Sequence, residues 1–243
     1  MGNIYPFRFR REPEPEPDVP RLVLLDADDD ALDPAAVLAA ARAGKGDRIA
    51  VFGDIATIAG LADQTSDLLI DPARGNWDFF ADHVSAYARA SAVEAFLPDD
   101  PKICSGYTCA SRYVLLRALE HAGDQPGAGL AVARDLILAL PSEAVAEAAG
   151  HDPANGHALR WGMTVLAGAR QATHMIADHD SRLPRVSIAR WLGGPATTIL
   201  FVAVPDTPTR ETDAIRASLA DHAMLARLRC GNETAHAVGM TAR

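Results

Sequence analysis

The sequence is short of cysteine, and the few cysteines it has are poorly spaced for chemistry. Only three occur among 243 residues, Cys104, Cys109 and Cys230. An odd, sparse set argues against a disulfide scaffold and is typical of a reducing compartment, so we expect a cytoplasmic protein. Cys104 and Cys109 lack the CxxC spacing and the neighbouring histidines of a zinc site. We therefore predict no metal there and interpret both as small buried apolar side chains.

Long apolar runs are also missing. No stretch approaches the ~18 consecutive apolar residues of a membrane span, and the N-terminus lacks the apolar core of a signal peptide. Apolar residues nonetheless make up 49 % of the chain, which is enough to build a buried core. The composition predicts a globular protein with no membrane span.

Positive charge is scarce. Lys and Arg total 23 against 32 Asp and Glu, and the formal net charge is -9. Proteins that bind nucleic-acid phosphates usually present a basic face, so this balance gives no strong nucleic-acid signal. Residues 1–20 contain a short basic cluster and then alternating Pro and Glu (REPEPEPDVP). That pattern favours an extended, disordered tail.

Short apolar runs alternate with a helical pattern over the first part of the chain. Residues 21–25 and 48–52 are typical of buried parallel strands, and residues 34–43 between them of a helix with Pro at its first position. Such a βαβ unit predicts a parallel sheet. Residues 67–70 and 198–204 are two further predicted strands.

The middle of the chain shows helical patterns and no strand signal from residue 127 to residue 180. We predict an α/β part at 21–123, an all-helical insertion at 124–183, a return to the α/β part at 184–228 and a flexible tail at 229–243. Residues 77–97 are expected to be mostly helical, with an apolar stripe made of Phe80, Val84, Tyr87, Val93 and Phe96. The further predicted helices are 107–122, 130–140, 142–149, 154–176 and 210–228.

Several short segments follow one another in an order that resembles the order of segments in a known protein family. RLVLL, an eight-residue loop and a helix are followed by RIAVFGD, which ends in Asp54, and then by DLLIDPARGNWDFF. GYTCASRYVLL contains Arg112, and RVSIARWLGG precedes the strand TTILFVAVP. Over residues 21–228 this series resembles the cytoplasmic motor domain of type IV secretion and conjugation coupling proteins, the TraD/VirD4-like group of ATPases.

The resemblance implies a fold and a set of partners. The fold would be a parallel sheet of the P-loop/RecA-like type with an inserted all-helical subdomain. The family's motors assemble as rings, so it also implies a protein partner, either a coupling ATPase or a secretion-channel component, or self-association. In the family a Walker B strand follows, and this sequence is expected to stop before it.

The eight positions that would form the phosphate loop depart from the family's pattern. G-x-x-x-x-G-K-[ST] uses glycine to turn N–H groups toward phosphate, Lys for charge and Ser or Thr for Mg²⁺. Here the positions hold Asp26, Ala27, Asp28, Asp29, Asp30, Ala31, Leu32 and Asp33. Two like charges about 4 Å apart repel by roughly 4 kcal/mol at a surface-like dielectric. We therefore predict a pseudo-ATPase with no nucleotide cofactor and no catalytic residues.

The acidic residues leave other interpretations open. A metal-dependent PIN/NYN-like nuclease would need converging carboxylates, and its candidates are Asp26, Asp54, Asp78 and Asp82. That family would have a late acidic pair after a strand near residue 105, but the segment CSGYTCAS there contains no carboxylate. An EF-hand is excluded because the loop has Ala31 in place of Gly and Val37 in place of Glu. A loose Mg²⁺ site remains an alternative.

The remaining polar candidates have weaker patterns. His174 and His179 are five residues apart, which is not the one-face spacing of a metal-binding helix. Arg112 and Arg117 could act on a neighbouring subunit or could lie on a solvated helix face. The sequence thus predicts a non-catalytic accessory or assembly protein of conjugation or type IV secretion that acts by binding another protein. The alternatives are the nuclease and a decayed gene product.

Overall fold

The computed structural model describes residues 22–27, 35, 38–39, 42, 48–63, 65–194, 197–206 and 209–240, and for 226–240 it describes the backbone alone. The predicted tail at 1–20 and the loop positions 28–34 lie outside the described residues. Among the described residues no helix has the length and apolar character needed to cross a membrane.

Four strands form one parallel sheet. They are β1 (Leu22–Asp26), β2 (Arg48–Gly53), β3 (Leu68–Ile70) and β4 (Leu200–Ala203), arranged in the order β1-β2-β4-β3. The late strand β4 lies between β2 and β3 and is parallel to both. The predicted parallel sheet is confirmed, and the strand ends differ from the predicted ends by at most two residues.

Nine named helices follow in the described part of the chain. They are α1 (Ile55–Leu61), α2 (Phe79–Asp82), α3 (Ala86–Phe96), α4 (Ser105–Gly123), α5 (Leu130–Ala139), α6 (Ser142–Ala148), α7 (Gly156–Thr173), α8 (Ile188–Gly193) and α9 (Arg210–Met240). The described residues of the predicted helix between β1 and β2, at positions 35, 38, 39 and 42, are also helical.

Side chains alternate between the two faces of the sheet along each strand. Both faces are buried, each by its own core. Phe52 of β2 and Val202 of β4 point into the larger core, which the helices share. Val51 and Phe201 point into a smaller core on the other face, together with Ile58 of α1. Continuous apolar strands such as IAVF and LFVA are what a sheet covered on both faces requires.

The helical layer between β3 and β4 is built on α4 and α7. α4 packs against α5 and α7, and α6 packs against α7. Gly162 allows the last contact, because a Cβ there would lie 2.5 Å from the carbonyl oxygen of Ser142. Residues 127–180, all of them described, contain no strand, as the sequence predicted.

Three details differ from the sequence prediction. The run 77–97 is divided into α2 and α3, because the chain breaks at His83 and the Ser85 hydroxyl accepts from the N–H of Ala88 to start α3. Val84 and Tyr87 belong to the predicted apolar stripe but lie outside the core, since their exposed fractions are 75% and 85%. The last helix, expected to end at residue 228, continues to Met240.

One buried carboxylate, Asp82, lies where the chain enters and leaves the helical layer, and it is 5% exposed. It accepts hydrogen bonds from Trp77 Nε1 at 2.8 Å and from Ser187 Oγ at 2.6 Å. It also accepts from the N–H groups of Ile188 at 3.0 Å and Ala189 at 2.9 Å. Asp82 thereby caps α8 from another part of the chain and joins the segment after β3 to the segment before β4.

Trp191 lies in α8, directly before β4. Its ring is 2% exposed, its Nε1 donates to the carbonyl oxygen of Thr198 at 2.9 Å, and the Arg48 guanidinium lies 5.9 Å from the ring centroid. The ring therefore connects α8 to the start of β4 and to β2.

Glu211, in the first turn of α9, is a buried acid. It is 3% exposed, and its Oε2 has no hydrogen-bond partner among the described residues. Burial, with a smaller contribution from the nearby Asp71 carboxylate, raises the pKa of Glu211 to about 8. The side chain is therefore protonated and neutral over most of the physiological range.

Replacing Trp191 by Ala should destabilise the protein strongly. Truncation of a buried aromatic typically costs about 3–5 kcal/mol, a large part of the stability of an ordinary domain. Trp191→Phe keeps most of the packing and loses the bond to Thr198, so its cost should be nearer about 1 kcal/mol. Urea denaturation of both variants measures the difference. An unchanged midpoint for Trp191→Ala would contradict the buried position of the ring.

Glu211→Gln should alter the pH dependence of stability. A raised folded-state pKa means that the stability is fully present below the unfolded pKa of about 4.5 and is lost as the pH rises through about 8. Gln stays neutral, so the variant should gain on the wild type with rising pH, by up to a few kcal/mol at about 1.4 kcal/mol per pKa unit. Denaturation curves near pH 5, 7 and 9 measure this. Glu147→Gln, an exposed control in α6, should show no such gain, and parallel curves for Glu211→Gln would refute the prediction.

Candidate functional site

The candidate site lies at the carboxyl edge of the sheet. Parallel strands all end at the same edge, and open α/β sheets bind ligands outside it. β1 ends in Asp26, Asp54 follows β2, and Asp71 follows β3. The first position of the predicted phosphate loop, Asp26, is therefore at the edge where a nucleotide would bind in a P-loop fold.

The start of the loop is packed tightly against β2. The N–H of Ala27 donates to the carbonyl oxygen of Phe52 at 2.7 Å, which continues the pairing one residue beyond β1. The Ala27 Cβ would lie 2.8 Å from a Cβ added at Gly53, so only glycine permits this approach. Ala27 thus occupies the space above the end of β2.

A basic side chain from α9 faces this edge. The Arg216 guanidinium lies over the Phe52 ring, 3.8 Å from its centroid, and 3.9 Å from the Asp26 carboxylate. Both charged side chains are about half exposed, so the pair is weak. The pair matters because the Arg216 guanidinium, a group that could attract an anion, already faces the Asp26 carboxylate.

Asp54 acts as a helix cap. It accepts hydrogen bonds from the N–H groups of Ala56 at 2.8 Å and Thr57 at 3.0 Å, and from the Thr57 hydroxyl. The Thr57 hydroxyl, followed by the two N–H groups, holds the pKa of Asp54 below its usual range. The carboxylate that follows β2 is therefore used to start α1.

The four carboxylates proposed for a nuclease are not gathered by the fold. Asp82 uses both oxygens to accept from four donors at the base of the helical layer. Asp78 lies 3.6 Å from Arg190, whereas Asp26 and Asp54 are at the sheet edge. Within the described ranges no three Asp, Glu, His or Cys side chains are grouped so that they could hold a metal ion.

A small cavity of about 170 Å³ is lined by Trp77, His179 and Glu211 and by the loop before α5. Two buried atoms, Glu211 Oε2 and His179 Nδ1, lack partners among the residues that the structure describes. Sequence reasoning missed Glu211, because an acidic residue in the first turn of a helix is ordinary when solvated. His174, by contrast, is exposed at the end of α7, and its Nδ1 lies 2.9 Å from the carbonyl oxygen of Gln171.

The other sequence candidates have local roles. Arg112 donates to the carbonyl oxygen of Leu97 at 2.7 Å and pairs with Asp99 at 3.1 Å, so it connects α4 to the end of α3. Arg117 pairs with Glu120 within α4. The expectation that Cys104 and Cys109 are buried is wrong, because both are exposed free thiols.

Comparison with known proteins gives structural matches only. No protein-family model matches the chain. No curated protein matches it either. Solved structures of the bacterial conjugative coupling protein TrwBdeltaN70 do match. Its unbound monoclinic form has a TM-score of 0.56 at 14% identity, and 85% of this chain is aligned with 50% of that chain.

A second crystal form of the same protein, trigonal and in complex with sulphate, has a TM-score of 0.55 at 12% identity, covering 85% of this chain and 52% of that one. This chain therefore spans about half the length of the structures it matches. Identity this low establishes the fold and nothing finer. Over most of its length the chain is similar in fold to a bacterial conjugative coupling protein, with the parallel P-loop/RecA-like sheet and helical layer that its segment order predicted.

Proposed function

We propose that this protein is a non-catalytic accessory or assembly component related to the coupling proteins of conjugation and type IV secretion, and that it acts by binding another protein. One observation carries the proposal. A coupling-protein fold has, at the end of β1, an acidic and glycine-free run in place of a phosphate loop. The sparse cysteines make the cytoplasm its expected location.

Charge at the carboxyl edge supports the loss of nucleotide chemistry. Asp26 stands where the first glycine would be, and a side chain there prevents close backbone approach to a phosphate. Arg216, which could attract an anion, faces Asp26 instead. Each further Asp of the loop adds like charge beside a polyphosphate, and Leu32 offers no cation.

Two features support binding to a protein. β1 lies at one edge of the sheet and pairs with β2 alone in the part of the chain that the structure describes, and its Leu24 is 43% exposed. An open edge strand is a template for association. The net charge of -9 favours a basic partner surface, and such association weakens as salt is added.

The purified protein should not bind ATP with Mg²⁺ at micromolar concentration. The expected dissociation constant is weaker than about 1 mM, because the loop supplies neither glycine N–H groups nor a lysine. Isothermal calorimetry is the measurement. The triple variant Asp28→Asn, Asp29→Asn, Asp30→Asn is the matched control and should also fail to bind at micromolar levels, since removing charge does not create a phosphate cradle. Micromolar binding by the wild type would overturn the pseudo-ATPase assignment.

The protein should co-purify from its native cell with a coupling ATPase or a secretion-channel protein, or should otherwise self-associate. Affinity purification with mass spectrometry identifies the partner, and size-exclusion chromatography with light scattering gives the mass of the isolated chain. Recovery should fall as salt is raised toward about 1 M, where the Debye length is about 3 Å. A strict monomer that recovers no secretion protein at low salt would count against the proposal.

A further inference from the structure

The helical layer contains a second, larger pocket, far in sequence from the strand ends. It has a volume of about 520 Å³ and is bounded by α4, α5, α6 and α7. Its floor is formed by buried aliphatic side chains, among them Ile137, Val145 and Val165. The space exists because α6 turns small residues toward it, and those residues are Ala144, Ala148 and the following Ala149.

The mouth of the pocket has a different chemistry from its floor. Tyr113 is 62% exposed there, and Trp161 forms a half-buried wall whose ring meets His151 edge-on at 5.2 Å. Arg117 and His121, both exposed on α4, are the basic side chains of the rim. One guanidinium nitrogen of Arg117 forms an ion pair with Glu120, and the guanidinium has further N–H donors besides that one.

The described side chains that line this pocket carry no negative charge. No Asp or Glu lines the pocket in the described part of the chain, although the protein as a whole has a net charge of -9. A ligand seated here would place an apolar body on the aliphatic floor and its polar end beside Arg117 and His121. An anionic end complements these residues, whereas a cationic end would be repelled.

We propose that this pocket binds a small amphiphile with an apolar body and an anionic head, of the class of a medium-chain fatty acid. Its volume falls within the about 300–1,000 Å³ that is usual for small-molecule sites, which are mostly apolar with a few polar groups that orient the ligand. Side chains from four helices converge on it. A partner helix would instead need an elongated groove for anchors spaced over two turns.

Dodecanoate, used below its micelle concentration, is the probe for the test. Trp161 lines the pocket, whereas Trp77 and Trp191 are buried elsewhere, so intrinsic fluorescence reports binding and calorimetry confirms the stoichiometry. Saturable one-to-one binding is expected. Decanoate should bind about 15-fold more weakly, because each methylene removed from the pocket lowers affinity about fourfold.

Two pairs of measurements separate the pocket from nonspecific binding. Arg117→Gln should weaken dodecanoate about three- to fivefold and leave dodecanol, which has no charge, unchanged. Ala148→Phe fills the pocket from an exposed position of α6 and should abolish binding. Ala139→Phe, which adds the same ring at an exposed position of α5 outside the pocket, should bind as the wild type does.

Circular dichroism checks that each variant is folded. If Ala148→Phe is not folded, the comparison of dodecanoate with dodecanol in Arg117→Gln still tests the proposal. The proposal is overturned by the absence of saturable binding, by equal affinity for decanoate and dodecanoate, or by full binding in Ala148→Phe. Equal binding of dodecyltrimethylammonium would also overturn it, since the rim would then not select an anion. None of these results bears on nucleotide or protein binding, so this inference and the proposed function can fail separately.

Discussion

The four hydrogen bonds of Asp82 are the constraint on which the arrangement of sheet and helices depends. The helical layer is inserted between β3 and β4, which are neighbours in the sheet, so the chain must leave and return at nearly the same place. Trp77 and Ser187 come from these two crossings, and both donate to one carboxylate. Loss of any donor would leave a buried carboxyl oxygen with fewer hydrogen bonds, which is costly in a low-dielectric interior. The insertion is held at its base by this polar junction.

The sheet edge and the helical layer present opposite kinds of surface. At the edge, carboxylates are used within the chain, because Asp54 caps α1 and Asp26 faces Arg216. In the helical layer, small residues on α6 leave an apolar pocket with Arg117 and His121 at its rim. In a fold similar to that of a coupling protein, the sheet edge therefore carries carboxylates with partners inside the chain, and the helical layer contains an apolar pocket.

The local signals in the sequence determined the elements and their type. Continuous apolar runs such as RIAVF and TILFVAV indicate strands buried on both faces, and the helical patterns over 127–180 indicate helices. The order of motifs then indicated the coupling-protein fold, although sequence identity to the matching structures is 14% or less. These predictions succeeded because periodicity and strand composition depend on neighbours along the chain.

Burial and partnership were decided by the tertiary structure alone. Asp82 was one acidic residue among several candidates until the return segment brought Ser187 and Ala189 to it. Tyr87 resembled a core residue, yet it lies on the exposed side of α3. Glu211 resembled a solvated helix-start acid, yet the fold buries it beside the cavity that Trp77 and His179 line, and this burial raises its pKa. The sequence specifies which groups carry charge, but the cost or benefit of that charge depends on distant residues that only the folded chain brings into contact.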